Sequence, residues 1–432
     1  MRDFKSLFAY LLMCITTTVV LGQNPDTTVV SYINFDGYFK NNVDFLRTNV
    51  NIADGESINM NTIERGLQNL KNTIGVGTAS YKLDTLSDGI GITYSIEEVK
   101  TLLPIFNFGG IRNNVWFQVG FVDINWRGRG ETISVYYQNN DNRHSGEIFY
   151  RKPRIQNSPW GYSASITKWA SREPLFFPGQ TVIYDYDNNS VAASIIRNFG
   201  LNRLIEIGGS YFVETYNKTD GQVSENPDIP LSLVQPKFLT KVEHQTNKLD
   251  YHFFYVKKHS WRLTYQNVFN TLDNTWFNSL QFQGMYFKHV GEKKRVNLAL
   301  RVRVGISTNN DSPFAPFVAD SHVNLRGVGN RIDRGTAQVV INAEYRRTLF
   351  FKEKTTRKWA VQAVAFVDMG TWRDPGGELN DIFNPDQFRQ FVGGGVRLIN
   401  NKVFGAVFRI DYGVDVLNSD QRGIVIGLGQ YF

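Results

Sequence analysis

From about Val115 to Phe432 the chain repeats with a period of two residues, and the two faces so created differ in kind. In RVNLALRVRVGI, Val296, Leu298, Leu300, Val302, Val304 and Ile306 share one face, against Asn297, Ala299, Arg301, Arg303 and Gly305. In QVVINAEYRRTL, Val339, Ile341, Ala343, Tyr345 and Leu349 oppose Gln338, Val340, Asn342, Glu344 and Arg346, with Arg347 the exception. In GIVIGLGQYF, Ile424, Ile426, Leu428 and Phe432 oppose Gly423, Gly427 and Gly429. Large apolar side chains on one face and charges or glycines on the other mark a transmembrane β-barrel, whose outside meets lipid and whose inside meets water. Such a sheet has to close, because lipid satisfies no strand edge. At roughly 10 residues per strand plus loops, the length predicts about sixteen antiparallel strands over residues 112–432. The stretch Phe177 to Phe199 reads as one strand or two.

Composition agrees. Aromatic residues make up 14% of the chain and glycines number 37, against 13 prolines, as suits many short strands. A mean hydropathy of −0.30 is too polar for a bundle of membrane helices. The net charge of +7 is scattered with no basic stripe, so no nucleic-acid partner is expected.

The first stretch, MRDFKSLFAYLLMCITTTVVLGQNP, joins a basic start to an apolar run and a small-residue cleavage pattern. Residues 1–22 are predicted to be a secretory signal peptide, cut after Gly22. The chain's one cysteine, Cys14, lies within it, so the mature protein is expected to hold no disulfide. Beyond it no apolar run reaches the roughly 18 residues of a spanning helix.

Residues 23–100 read as a small α+β unit. A strand (TTVVSYINF) precedes a short helix (NNVDFLRTNV) and a second helix, which puts Met60, Ile63, Leu67, Leu70 and Ile74 on one face. Asn61 and Glu64 have the spacing of a capping box. Two strands follow, the second aligning Ile90, Ile92, Tyr94 and Ile96. One face of this sheet is expected to lie under the helices, with an open edge able to accept another strand.

Between two barrel strands lies a basic, glycine-rich loop, HVNLRGVGNRIDRGT, from His322 to Thr336. The alternation points Glu344 and Asp368 into the lumen on neighbouring strands. A loop joined to the first of them can fold back inside, where the planar fork of Arg326 suits two carboxylates. Gly327 and Gly329 permit the tight turn this needs. The other reading is an ordinary solvated loop.

Three segments, LRGVG, NAEYRRTL and FVDMGTW, in this order and spacing, resemble the BamA/TamA-type outer-membrane assembly superfamily. The resemblance implies a loop arginine at Arg326 followed by Gly327, lumen acids at Glu344 and Asp368, and the motif glycine at Gly370. It implies that residues 23–100 are a periplasmic POTRA-like domain and that VDINWRGRGETI is part of the first barrel hairpin. Phe432 resembles the terminal aromatic by which barrels are recognised for assembly. Two departures stand out: Val328 occupies the place of an aromatic, and only one POTRA-like unit fits before the barrel.

The resemblance implies a lateral seam between the first and last strands. These are expected at about Val115–Asn125, with Val119 and Phe121, and at Gly423–Phe432, with Ile424, Ile426 and Leu428. Lumen charges Arg301, Arg303, Arg397, Arg409 and Asp411 are expected to hold the loop or line a pore. The implied function is insertion, assembly or translocation of proteins at the outer membrane of a Gram-negative bacterium. Expected partners are outer-membrane lipid, unfolded or secreted client proteins, and assembly-complex subunits bound through the amino-terminal unit. Alternatives are a dedicated secretion pore for one partner protein, a passive pore, and an outer-membrane hydrolase. None of the six histidines (His144, His244, His252, His259, His289, His322) sits in a nucleophile motif or at metal-ligand spacing. No catalytic residue, metal or cofactor is therefore expected.

Overall fold

The computed structural model describes residues 27–111, 114–156, 158–219, 228–319, 324–328, 333–354, 357–400, 402–403 and 407–432. The expected signal peptide and parts of the glycine-rich loop (320–323 and 329–332) lie outside these.

The amino-terminal unit consists of β1 (Thr28–Asp36), α1 (Val43–Val50), β2 (Ser57–Ile58), α2 (Met60–Asn72), β3 (Val76–Leu86) and β4 (Gly89–Glu98). Its sheet runs β2-β1-β4-β3, with β1 and β4 parallel and the other pairs antiparallel. Ile63, Leu67 and Leu70 of α2 meet Ile92, Tyr94 and Ile96 of β4 in one core, and β3 is left as an edge. The helix cap differs from the expected one. Asn59, not Asn61, accepts the Thr62 N–H at 3.0 Å, and Glu64 instead accepts from the Tyr81 hydroxyl. The helix therefore starts at Met60, whose side chain stays exposed.

The barrel follows directly. Its first eight strands are β5 (Leu102–Ile111), β6 (Asn114–Trp126), β7 (Glu131–Asn140), β8 (Arg143–Lys152), β9 (Trp160–Phe177), β10 (Gln180–Phe199), β11 (Arg203–Lys218) and β12 (Ser232–Asn247). A two-residue β13 (Asp250–Tyr251) precedes β14 (Val256–Asn270), β15 (Trp276–Val290) and β16 (Val296–Ser307). The glycine-rich loop carries a small hairpin, β17 (Phe317–Ala319) and β18 (Asp333–Gly335). The wall then resumes with β19 (Ala337–Lys354), β20 (Arg357–Arg373), β21 (Arg389–Asn400), β22 (Val407–Asp415) and β23 (Arg422–Leu428). Without the short β13, the closed wall holds sixteen antiparallel strands. Gln180–Phe199 is one strand.

Outward residues such as Ile148, Ile166, Val191, Ile195, Ile207 and Leu300 are exposed and apolar, whereas Glu206, Arg301, Glu344, Asp368 and Asp411 are buried inside. This inverts the ordinary soluble pattern and gives the wall a face suited to lipid. Several of the buried charges pair with one another inside the wall, among them Arg326 with Asp368 and Arg397 with Asp411.

The closure differs from the sequence expectation in two places. The strand that meets β23 is β5, beginning at Leu102, so the barrel starts ten residues before 112. Val119 and Phe121 lie on β6, between β5 and β7, one strand in from the closing pair. At the other end β23 stops at Leu428. Gly429 turns the chain at φ +94°, and Tyr431 and Phe432 fold into the lumen. Phe432 is therefore not the outward end of a strand. Its ring packs near Phe287 and under Arg301, and its backbone oxygen accepts from Arg346 at 3.0 Å.

Candidate functional site

The loop enters the barrel from the end opposite the amino-terminal unit. Leu325, Phe317 and Ala319 of the loop pack with Val340, Trp372 and Phe391 of the wall, and Val328 joins the edge of this cluster. This apolar footing sets the loop backbone against β20 and β22, and glycines allow the approach. A side chain on Gly413 would lie 2.3 Å from the Arg326 carbonyl oxygen. Gly327 has φ +105°, and a Cβ there would meet the Gly413 carbonyl oxygen at 2.7 Å. At Gly370 the added atom would strike the Trp372 ring at 2.3 Å, so that glycine seats the indole beside Leu325.

So placed, the fully buried Arg326 meets both expected acids. Its Nε and Nη2 donate to the two oxygens of Asp368 at 2.8 and 2.9 Å, and its backbone N–H donates to Asp368 Oδ2 at 3.0 Å. Nη1 donates to Glu344 Oε1. Two aromatic rings sandwich the guanidinium, with Phe366 of β20 at 3.7 Å and Tyr431 of the terminal segment at 4.2 Å.

A wider network holds the acids. Arg346 donates to Glu344 Oε2 at 2.6 Å. Arg397 makes a paired contact with Asp411 at 2.6 and 3.0 Å and lies 3.6 Å from Glu344. Asn342 donates to Asp368 and to the Asn324 carbonyl, both at 2.8 Å, while its oxygen accepts from Arg301. Arg303 reaches the loop through Asn324 Oδ1 at 2.9 Å. Arg301 and Arg409 both lie over the Tyr431 ring. Among the described residues these lumen charges contact the loop, directly or through one neighbour. A buried ion set of this kind stabilises only if its remaining hydrogen-bonding groups are satisfied, and Asn342 and Arg346 supply much of that.

The loop has a second anchor that the sequence reading did not name. Arg334 of β18 donates through Nε and Nη2 to both oxygens of Glu173 on β9, the Nη2 contact being 3.0 Å. Beside this pair Lys237 donates to Glu214 at 2.5 Å and faces the Phe314 ring. Nothing local in the sequence joins Arg334 to Glu173, which lie 161 residues apart. The loop is therefore tied to walls on different sides of the lumen.

The seam is short. Only Ile424, Val425, Ile426 and Gly427 of β23 face β5, opposite Gly110, Gly109, Phe108 and Asn107. By comparison β5 faces β6 from Leu102 to Ile111. Among the described residues, Leu102–Phe106 faces no strand on the β23 side. Pro104, which has no N–H to give, sits in that stretch, as a proline on a strand edge does. Ile424, Ile426 and Leu428 do lie on the closing strand. Among the described residues no group of three or more His, Cys, Asp or Glu side chains is placed to hold a metal ion.

Three solved structures share the fold. They are BamA from Haemophilus ducreyi lacking POTRA domains 1-3 (TM-score 0.55, 14% identity, 93% of this chain and 84% of that one), CdiB from Acinetobacter baumannii (0.57, 13%, 94% and 74%) and CdiB from Escherichia coli (0.58, 10%, 92% and 76%). A model of the Omp85 superfamily domain matches residues 125–432. With the charged lumen, the inward loop and the short closing ladder, that match over most of the chain places the protein in the Omp85 superfamily.

Proposed function

We propose that the protein spans the outer membrane of a Gram-negative bacterium and assists insertion, assembly or translocation of other proteins there, without bond chemistry. In this reading residues 23–100 form a single POTRA-like domain on the periplasmic side, where its free β3 edge receives client or partner segments. The apolar belt meets outer-membrane lipid. Arg326, with Glu344 and Asp368, is the latch that keeps the loop inside.

The observation that carries this reading is the seam: a four-pair ladder beside an unpaired stretch of β5. A strand edge facing lipid is costly unless another strand can cover it, and a client strand can. A passive pore fits less well, because the loop is tied inside the barrel at both Arg326 and Arg334.

The test is a disulfide across the seam. Phe108 faces Ile426 directly, and directly opposed positions in an antiparallel pair have the Cα spacing a disulfide needs. Phe108→Cys with Ile426→Cys is expected to lock the seam in cells. Assembly of other outer-membrane proteins should then stop, and reductant should restore it. If the locked barrel supports everything the free one does, the seam is only wall. A secretion pore through the lumen, opened by release of the loop, then becomes the better account.

A further inference from the structure

We propose that the loop joining β1 to α1 is an interfacial membrane anchor: Phe39, with Tyr38, inserts among lipid headgroups at the foot of the seam, and Arg127 and Arg129 bind their phosphates. The inference rests on the reading of the barrel as membrane-spanning.

A single exposed phenylalanine needs no explanation by itself. Its placement does. Phe39 is 81% exposed, and the next residue, Lys40, grips the barrel. Lys40 Nζ donates to Asp123 Oδ2 at 2.9 Å and to Thr101 Oγ1 at 2.7 Å. Asp123 stands opposite Leu102 in the β5–β6 ladder, and the next pairs on that face are Pro104 with Phe121 and Phe106 with Val119. Directly opposed residues share a face, and Leu102, Phe106, Val119 and Phe121 are exposed and apolar. Asp123 is thus the last position of a lipid-facing column. Lys40 holds it from outside the wall, about 7 Å below the last apolar pair of that column, as two strand residues rise about that far. This is the depth at which aromatic rings and cations collect at a membrane surface.

The neighbouring turn supplies the cations. Gly128 packs on the Lys40 carbonyl, where any side chain would clash, and its own carbonyl accepts from the Asn42 N–H at 2.8 Å. That contact fixes the exposed Arg127 and Arg129 on either side. Among the described residues neither arginine has an acidic partner. Trp126, also exposed, precedes them. Across the foot of the seam the Lys100 N–H donates to the Lys402 carbonyl, and both lysine side chains are exposed. Aromatic rings flanked by exposed cations, continuous with a lipid-facing column, fit the phosphate zone of a bilayer leaflet. Anchored so, the amino-terminal unit is held beside the first strand of the seam.

The test uses the full mature chain, which has no cysteine after Cys14. Phe39→Cys, Asp88→Cys and Ile166→Cys are each labelled with an NBD fluorophore and reconstituted into vesicles containing an anionic phospholipid, with heat-modifiability confirming the fold. The label at 39 is expected to be quenched by a shallow nitroxide lipid and shielded from aqueous iodide. At Asp88, on the far turn of the unit, the order should reverse. Adding Arg127→Gln or Arg129→Gln should lower the inserted-to-withdrawn ratio about five-fold each. Equal behaviour at 39 and 88 overturns the anchor, and an unchanged ratio overturns the phosphate sites. Shielding of the label at 39 from iodide without quenching by the nitroxide lipid assigns the cover to protein and also overturns it. A label at Ile166 that lipid nitroxides leave bright sinks the membrane-spanning reading itself, and this inference with it.

Discussion

Replacing Arg326 with alanine probes the lumen cluster most directly, and the outcome can be worked from the contacts. Glu344 keeps Arg346 at 2.6 Å and Arg397 at 3.6 Å, so it remains paired. Asp368 does not. Among the described residues it loses both guanidinium contacts and keeps the hydrogen bonds from the Asn342 amide and the loop N–H. A buried carboxylate stripped of its charge partner costs about 3 to 5 kcal/mol. The lost stacking on Phe366 and Tyr431 is worth about 1 to 2 kcal/mol and overlaps that figure rather than adding to it. Because Asp368 is the stranded group, Asp368→Asn in the Arg326→Ala background should recover part of the loss, although alone it should destabilise. The assay is urea unfolding in micelles, with gel heat-modifiability and protease cleavage of the loop as independent readouts. The reasoning fails if Arg326→Ala costs less than about 1 kcal/mol, the size of an exposed pair, and leaves the loop uncleaved. It also fails if the double variant is worse than the single.

Glu173→Gln should cost about 3 kcal/mol, the lower end for a broken buried pair, since Arg334 is a fifth exposed. Planar-bilayer recordings should show larger conductance as the hairpin leaves the β9 wall, while the Arg326 cluster stays intact. His252 lies in the turn between β13 and β14, stacked on Tyr255, and burial together with Lys257 brings its pKa down to about 4. Above pH 6.5 both the folded and the opened turn hold it neutral. As pH falls from there toward about 4 the opened turn binds the proton first, so the turn loosens. An NMR titration of His252, with hydrogen exchange across residues 248–255, checks the sign. A midpoint near the ordinary histidine value would refute it.

The strands that hold Arg301, Glu344 and Asp368 were legible because each alternates large apolar residues with charged ones, so face and inward direction follow from one period. The inward direction of the two acids followed from that alternation, whereas the loop arginine was one of two readings, favoured by the resemblance. β5 was not legible for the same reason inverted. In LLPIFNFGGI apolar residues occupy both faces, and Pro104 reads as a break. Only the structure shows that this proline sits on an edge with no neighbour to bond. Phe432 continues the period of its strand perfectly well, and only the turn at Gly429 sends it inward. Pairs such as Arg334–Glu173 and Arg397–Asp411 depend on how the wall curves and which strands meet, which periodicity does not encode.

The guanidinium of Arg326 rests between a ring of the wall and a ring of the segment that ends the closing strand. Loop and seam therefore own one residue in common, and their equilibria are not independent. Any event that peels β23 from β5 and withdraws Tyr431 removes one side of the arginine's seat. Linkage is reciprocal, so whatever free energy an open seam subtracts from loop retention, a departed loop subtracts from seam closure. A client that engages either element would be felt at the other without touching it.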